Sequence, residues 1–214
     1  MKFKFTFPSP TSFEKAKEKN IVDFPYIAEP FLNGIKCYIR KIEDCIHILN
    51  QKHEIISTCP HILETKTVIN FFEKYPEGIL EGELYSTDLG NKLNKTIKNT
   101  NISEEDKQLL KEKINFHCFD LLIPEKSELN CLERKNVLID VISNISDIDD
   151  REDDFYIGGL MIIDGQFKCY IVNSETEIDL IKAKYKRDGY SGIILKKDEP
   201  YMTGKKSRSL KITF

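Results

Sequence analysis

The sequence predicts a fold that mixes β-strands and α-helices, because both periodicities occur and interleave along the chain. Residues 34–42 alternate apolar and polar side chains, which is typical of a half-buried strand. Residues 65–75 instead carry their apolar side chains at helical spacing. With 214 residues, 40% hydrophobic and 31% charged, the chain is long enough to bury a core built from both kinds of element.

The other elements of the first half follow from short apolar runs and one capping sequence. Ser103 is a predicted N-cap, and we predict that a helix follows it over 104–113. The stretch 87–101 is polar and receives no element. Strands are predicted at 45–50, 53–57, 78–85 and 114–123.

In the second half, Ser174 and Glu177 form a predicted capping box for a helix over 175–187, which Gly189 ends. The acidic run at 145–154 is predicted to be an exposed loop. A further helix is predicted over about 128–144, and strands at 155–163, 167–172, 190–197 and about 208–213. We find no repeat or linker, so we predict one domain over 1–214, with an N-terminal extension at 1–23.

Composition excludes several classes of protein. The six cysteines form no C-x-x-C pair and have no histidine at ligand spacing, so neither zinc nor a disulfide framework is expected. None of the four histidines shows the spacing of a catalytic triad or a metal site. No apolar run is long enough to span a bilayer and no signal peptide is recognisable, so we expect an intracellular protein, cytoplasmic or nuclear.

Five collinear segments carry the pattern of one enzyme family. Residues 24–36 read FPYIAEPFLNGIK, residues 80–85 read LEGELY, and residues 116–122 read FHCFDLL. Residues 190–196 read YSGIILK, and the last segment runs from Tyr201 to Thr213. Together they resemble the motifs of the nucleotidyltransferase (adenylation) domain of ATP-dependent DNA ligases, and the resemblance covers about residues 24–213.

The resemblance implies an α+β fold with two antiparallel sheets, flanking helices and a nucleotide cleft. Ligases of this family carry a following OB-fold domain, which we expect this chain to lack because it stops after the fifth segment. ATP and Mg²⁺ are the implied cofactors if the pocket is open. The implied nucleotide-binding positions, several of them altered, are Glu29, Phe31, Asn33, Lys36, Glu83, Phe116, Ser191, Lys196 and Lys211.

The departures from the family pattern fall on charged and nucleophilic positions. The family reads K-x-D-G-x-R where this chain has Phe31, Asn33 and Lys36, so the lysine that attacks the α-phosphate is absent. Ser191 replaces a glutamate and Thr213 replaces a lysine. Only Gly34 of the first motif is kept, and the family's Ser-Arg pair is missing at 49–52. This pattern predicts a pseudoenzyme with no catalytic residue.

Several site assignments have a plainer alternative. Glu83 matches the family glutamate near the ribose and metal, but it is also an ordinary surface strand residue. Phe116 is either a platform for the nucleobase or a core residue, and we assign the core role to Phe119. Lys196 and Lys211 are either phosphate ligands or surface charges. Ten basic residues crowd the last thirty or so positions, and of these we assign Lys205, Lys206 and Arg208 to nucleic-acid binding.

Three functions are compatible with the sequence. The preferred one is a non-catalytic scaffold that binds nucleic acid, such as a nicked or gapped duplex, or a partner protein. The second is a sensor that binds ATP without reacting. The third is a genuine nucleotidyltransferase with an unrecognised nucleophile.

Overall fold

The computed structural model describes residues 9–98, 103–143, 155–157, 160–163, 166–202 and 208–214. These residues belong to two compact units. The first unit comprises Met1–Leu32, Glu128–Glu133 and Gly158–Phe214, and the second comprises Asn33–Ser127 and Arg134–Ile157. The single ligase-like domain over 1–214 stays a prediction. The acidic loop at 145–154 lies outside the described residues.

Groups of short strands are separated by helices along the described part of the chain. The strands are β1 (Thr11–Ser12), β2 (Tyr26–Phe31), β3 (Ile35–Ile42), β4 (Cys45–Asn50), β5 (Ile55–Ile56), β6 (Ile79–Tyr85), β7 (Asn115–Leu122), β8 (Phe155–Ile157), β9 (Leu160–Ile163), β10 (Gln166–Val172), β11 (Gly192–Lys196) and β12 (Leu210–Thr213). The helices are α1 (Phe13–Glu18), α2 (Pro60–Leu63), α3 (Lys66–Lys74), α4 (Leu93–Lys98), α5 (Glu104–Lys113), α6 (Cys131–Ser143) and α7 (Glu175–Arg187).

The first unit contains a six-stranded sheet in the order β1-β12-β11-β2-β10-β9. Its neighbouring strands are antiparallel except β1 and β12. One face of this sheet is apolar and packs with α1 and α7. Residues from both helices and from the central strands form the core: Phe13, Ala16, Tyr26, Ala28, Val172, Ile178, Ile181, Tyr185, Ile193, Leu195 and Leu210.

The second unit contains another six-stranded sheet, in the order β5-β4-β3-β6-β7-β8. It is antiparallel except for the pairing of β7 with β8. Buried side chains from β3, β6, β7 and the helices form its core, including Ile39, Phe71, Leu80, Leu84 and Phe116. The predicted α+β fold with two sheets and flanking helices is therefore confirmed, with one parallel pair in each sheet.

The helix starts follow the expected capping chemistry. Ser103 Oγ accepts a hydrogen bond from the Asp106 N–H at the start of α5. Ser174 Oγ accepts one from the Glu177 N–H at the start of α7. The Glu177 carboxylate accepts the N–H of Asn173 rather than that of Ser174, so the predicted reciprocal box is shifted by one residue. Both helices keep their predicted bounds.

Two element predictions are wrong. The single strand predicted over 155–163 is two strands, because β8 pairs with β7 in one sheet and β9 pairs with β10 in the other. The polar stretch after β6 contains α4, whose Leu93 and Ile97 are buried four residues apart in the core of the second unit. Two apolar residues among lysines and asparagines give too weak a periodicity to predict that helix.

Candidate functional site

One face of the first unit's sheet brings together four of the predicted nucleotide-binding positions: Glu29, Phe31, Lys196 and Lys211. Paired residues in neighbouring strands share a face. The register places Phe31 opposite Gly192, and Glu29 opposite Ile194, which itself pairs with Lys211. Alternation along β11 adds Lys196 to the same face. We call this the motif face; the opposite face packs against α7.

Phe31 and Lys211 contact each other on the motif face. The Lys211 ammonium nitrogen lies 3.5 Å from the centroid of the Phe31 ring. A cation at this distance is attracted by the negative face of the ring. Phe31, which the resemblance places at the nucleophile position, therefore contacts Lys211, which the resemblance assigns to a nucleotide phosphate.

Glu29 and Lys196 form a second contact on the motif face. The Lys196 Nζ lies 2.9 Å from the Glu29 Oε2, and the Glu29 side chain is 1% exposed. A carboxylate removed from water is costly unless an opposite charge lies beside it, so this lysine compensates a buried charge. Both lysines that the sequence assigned to nucleotide phosphates are engaged within the protein.

Ser191 and Gly192 shape the end of β11. The Ser191 N–H donates to the carbonyl of Phe31 at 3.1 Å, and its own carbonyl accepts from the N–H of Phe214 at 3.1 Å. A Cβ at Gly192 would lie 2.1 Å from the carbonyl oxygen of Ile212. Backbone packing alone therefore requires the glycine of this motif, whether or not a nucleotide binds.

The second unit carries the remaining motif residues. Asn33 is exposed, and Lys36 forms an ion pair with Glu81, with 3.0 Å between Nζ and Oε1. Glu83 Oε2 accepts the N–H of Gly34 at 3.2 Å. Lys36 and Glu83 are paired across β3 and β6, so both belong to the polar face of this sheet.

The burial of the two phenylalanines of the third segment favours the core alternative for Phe116 and differs from the prediction for Phe119. Phe116 is fully buried in the core, and a Cβ at Gly82 would lie 2.5 Å from its ring. Phe119, which we expected in the core, is half-buried. Glu81 pairs with Asp120 while Gly82 pairs with Cys118, so Phe119 is the extra residue of a β-bulge. Phe116 is therefore a core residue of the second unit, and Phe119 lies at an irregular point of β7.

Helix α6 contacts this bulge through two adjacent basic residues that the sequence did not single out. Arg134 donates to both carboxylate oxygens of Asp120, at 2.6 and 3.0 Å. Lys135 Nζ donates to the carbonyl of Phe119 at 2.8 Å. Both basic residues are buried. Adjacent basic residues on a helix are typical of a solvated face, and only the fold reveals their partners.

His117 lies on the polar face of the second sheet, opposite Glu83 in the register. Its ring meets that of Tyr85 edge-on, with 5.3 Å between the centroids. Burial lowers the pKa of His117 from 6.5 to about 4. The imidazole is therefore neutral in the folded protein at neutral pH.

This lowered pKa predicts a loss of stability on acidification. Below pH 6.5 the unfolded chain binds a proton at His117, whereas the folded protein does so only near pH 4. The free energy of unfolding should therefore fall as pH drops from 6.5 to 4, by up to about 1.4 kcal/mol per pH unit from this group. Urea unfolding across this range should show a flatter dependence in His117→Gln. His47→Gln, on the same sheet, is the control, and equal slopes in both variants would contradict the prediction.

Of the residues assigned to nucleic-acid binding, the structure describes Arg208, which forms an ion pair with Glu199 at 2.7 Å. Lys205 and Lys206 lie outside the described residues. Within the described part of the chain, no three His, Cys, Asp or Glu residues are placed to hold a metal ion. No helix there has the length and apolar character needed to cross a membrane.

The fold is similar to those of solved ligases. The structure named Pmar-Lig_Pre aligns with a TM-score of 0.73 and 15% identity, over 98% of this chain and 46% of that one. A Lig E DNA ligase, described as binding DNA with a minimal scaffold, gives 0.66 and 13% identity, over 99% and 70%. The ATP-dependent DNA ligase of bacteriophage T7, in complex with ATP, gives 0.64 and 15% identity, over 96% and 68%.

These similarities establish the fold, which is that of the nucleotidyltransferase domains of ATP-dependent ligases. The chain spans a little under half the length of the Pmar-Lig protein. No protein-family model matches the sequence, and no curated protein does.

Proposed function

We propose that this chain is a ligase-fold protein without ligase chemistry that binds nucleic acid, with a nicked or gapped duplex as its ligand. The observation that carries the proposal is the contact between Phe31 and Lys211. A phosphoramidate bond to the α-phosphate of ATP requires a nitrogen with a free lone pair, and a phenyl ring supplies none.

The charges on the motif face support the same proposal. ATP and Mg²⁺ would need free cations for the phosphates and carboxylates for the metal. Lys196 is paired with Glu29, and Lys211 lies over an aromatic ring. Position 191 offers a hydroxyl in place of a carboxylate. The described residues of this unit therefore fit a metal-bound triphosphate poorly, and we derive no reaction step through one.

Two observations favour nucleic acid as the ligand. One of the similar structures is described as a DNA-binding minimal scaffold, and it shares the fold over 99% of this chain. Residues 180–214 hold ten lysines or arginines against three acidic residues. Clustered cations of this kind are the usual contacts to phosphates.

Two measurements on the purified full chain test the two halves of the proposal. Intact mass after incubation with ATP and Mg²⁺, followed by denaturation, should show no nucleotide adduct. Fluorescence anisotropy with a labelled nicked duplex should show saturable binding that weakens with salt. A covalent adduct would refute the loss of chemistry, and peptide mapping would then identify the nucleophile. Binding of a copurifying protein with no affinity for the duplex would refute the choice of ligand.

A further inference from the structure

The positive charge of this chain is concentrated at its C-terminal end. Residues 180–214 carry ten basic and three acidic side chains, whereas residues 1–179 carry 22 basic and 32 acidic ones. The formal charge of the whole chain is -3. A net negative protein binds a polyanion only through a surface on which unpaired cations are gathered.

Most described cations of this segment are already engaged. Lys196 and Lys211 contact Glu29 and Phe31 on the motif face. Three others have a nearby carboxylate: Lys184 with Asp188 at 2.7 Å, Lys197 with Asp23 at 3.4 Å, and Arg208 with Glu199 at 2.7 Å. These side chains contribute little free positive charge to the surface.

The remaining described cations of the segment are on α7. Lys182, Lys186 and Arg187 are exposed. Among the described residues, no carboxylate lies within ion-pair distance of Lys182 or Lys186, and the Arg187 Nε lies 3.6 Å from Asp188, which already pairs with Lys184. We call these three side chains the α7 basic surface.

Helix geometry gathers these cations away from the core. The buried side of α7 is formed by Ile178, Ile181 and Tyr185. Lys182 and Lys186 are four residues apart, so their Cβ atoms lie about 5–6 Å from each other on one stripe of the helix. That separation lets two ammonium groups contact neighbouring phosphates of a nucleic-acid strand.

A purely structural account explains part of this arrangement. Cations in the last turn of a helix are stabilised by its dipole. Lys186 and Arg187 lie in that turn, but Lys182 lies before it. A dipole role would change the stability of the protein and leave any salt-dependent binding unaltered.

We propose that the α7 basic surface is where this protein contacts the phosphate backbone of duplex DNA. The inference rests on the proposed function, since it names the surface through which nucleic acid is bound. It adds a helix with exposed cations to the contact predicted at Lys205, Lys206 and Arg208.

The test compares two triple variants of the full chain with equal change in charge. The first variant is K182Q/K186Q/R187Q. The control is K92Q/K95Q/K111Q, which removes three exposed lysines of the second unit. Binding of a fluorescent nicked duplex is measured by anisotropy over a range of NaCl concentrations. Thermal unfolding confirms that both variants are folded.

We expect the affinity of the α7 variant to fall at least tenfold at physiological salt. The slope of log K against log [salt] should become shallower by about 0.9 for each phosphate that the variant no longer binds. The control should keep the wild-type slope. Equal effects of the two variants would overturn the α7 basic surface while leaving DNA binding intact. Absence of binding by the wild-type protein would overturn both this inference and the proposed ligand.

Discussion

Arg134→Met is expected to lower the free energy of unfolding by about 3–5 kcal/mol. The Arg134 and Asp120 side chains are 6% and 8% exposed, and the guanidinium donates to both carboxylate oxygens. Removing the arginine leaves the Asp120 carboxylate buried without its counter-charge. Urea unfolding followed by circular dichroism measures the loss directly.

A double-mutant cycle separates the ion pair from packing. In Arg134→Met/Asp120→Asn both charges are gone, and the asparagine oxygen can still accept the Leu121 N–H, as Asp120 does at 2.9 Å. We expect the double variant to be more stable than Arg134→Met, because replacing both partners of a buried pair is often nearly neutral. A double variant no more stable than the single one would show that the arginine acts mainly through packing.

This ion pair also assigns a role to part of the third motif segment. In the sequence, Asp120 is one residue of a segment that resembles a nucleotide-binding motif. In the structure, its carboxylate pairs with Arg134 and so holds α6 against β7. The ion pair with Arg134 is enough to explain this aspartate, whether or not a nucleotide binds. Gly192 is a second motif residue with a structural explanation, because its backbone lies too close to that of Ile212 for a Cβ.

Helices and strands whose start or pattern depends only on neighbouring residues can be predicted from the sequence. The N-caps Ser103 and Ser174 depend on neighbours within four residues, and the structure reproduces them. The strand predicted at 34–42 is present as β3, but its burial does not alternate, because Cys37, Tyr38 and Ile39 are all buried. The single strand predicted at 155–163 is wrong because strand periodicity says nothing about which sheet a residue joins. Its two parts pair with β7 and β10 in different sheets.

The difference in burial between Phe116 and Phe119 has a definite cause. The two rings are three residues apart, so a regular strand would place them on opposite faces. The alternation does not say which face is buried, and a bulge between the partners of Glu81 and Gly82 shifts the register within the segment. Contacts such as Glu29 with Lys196 likewise depend on a strand register that the sequence alone does not give.

Phe31→Lys alone is expected to give no covalent nucleotide adduct with ATP and Mg²⁺. The new lysine would lie near the Lys211 ammonium, which is 3.5 Å from the centre of the ring it replaces. A neighbouring cation lowers a lysine's pKa, which favours the neutral amine that attack on the α-phosphate requires. Chemistry also needs charges that hold the phosphates and the metal. The resemblance to ligases assigns those charges to the positions that Asn33, Ser191 and Thr213 occupy in this chain.

The matched comparison is Phe31→Lys/Asn33→Asp/Ser191→Glu/Thr213→Lys, which restores the family residue at all four positions. Denaturing mass spectrometry after incubation with ATP and Mg²⁺ measures the adduct in both variants, and thermal unfolding checks that both are folded. An adduct in the fourfold variant alone would show that the missing charges, as much as the missing nucleophile, separate this chain from an active ligase. Robust adduct formation by the single variant would show that the fold still binds ATP productively. Phe31 alone would then account for the absence of adduct formation in the wild-type protein.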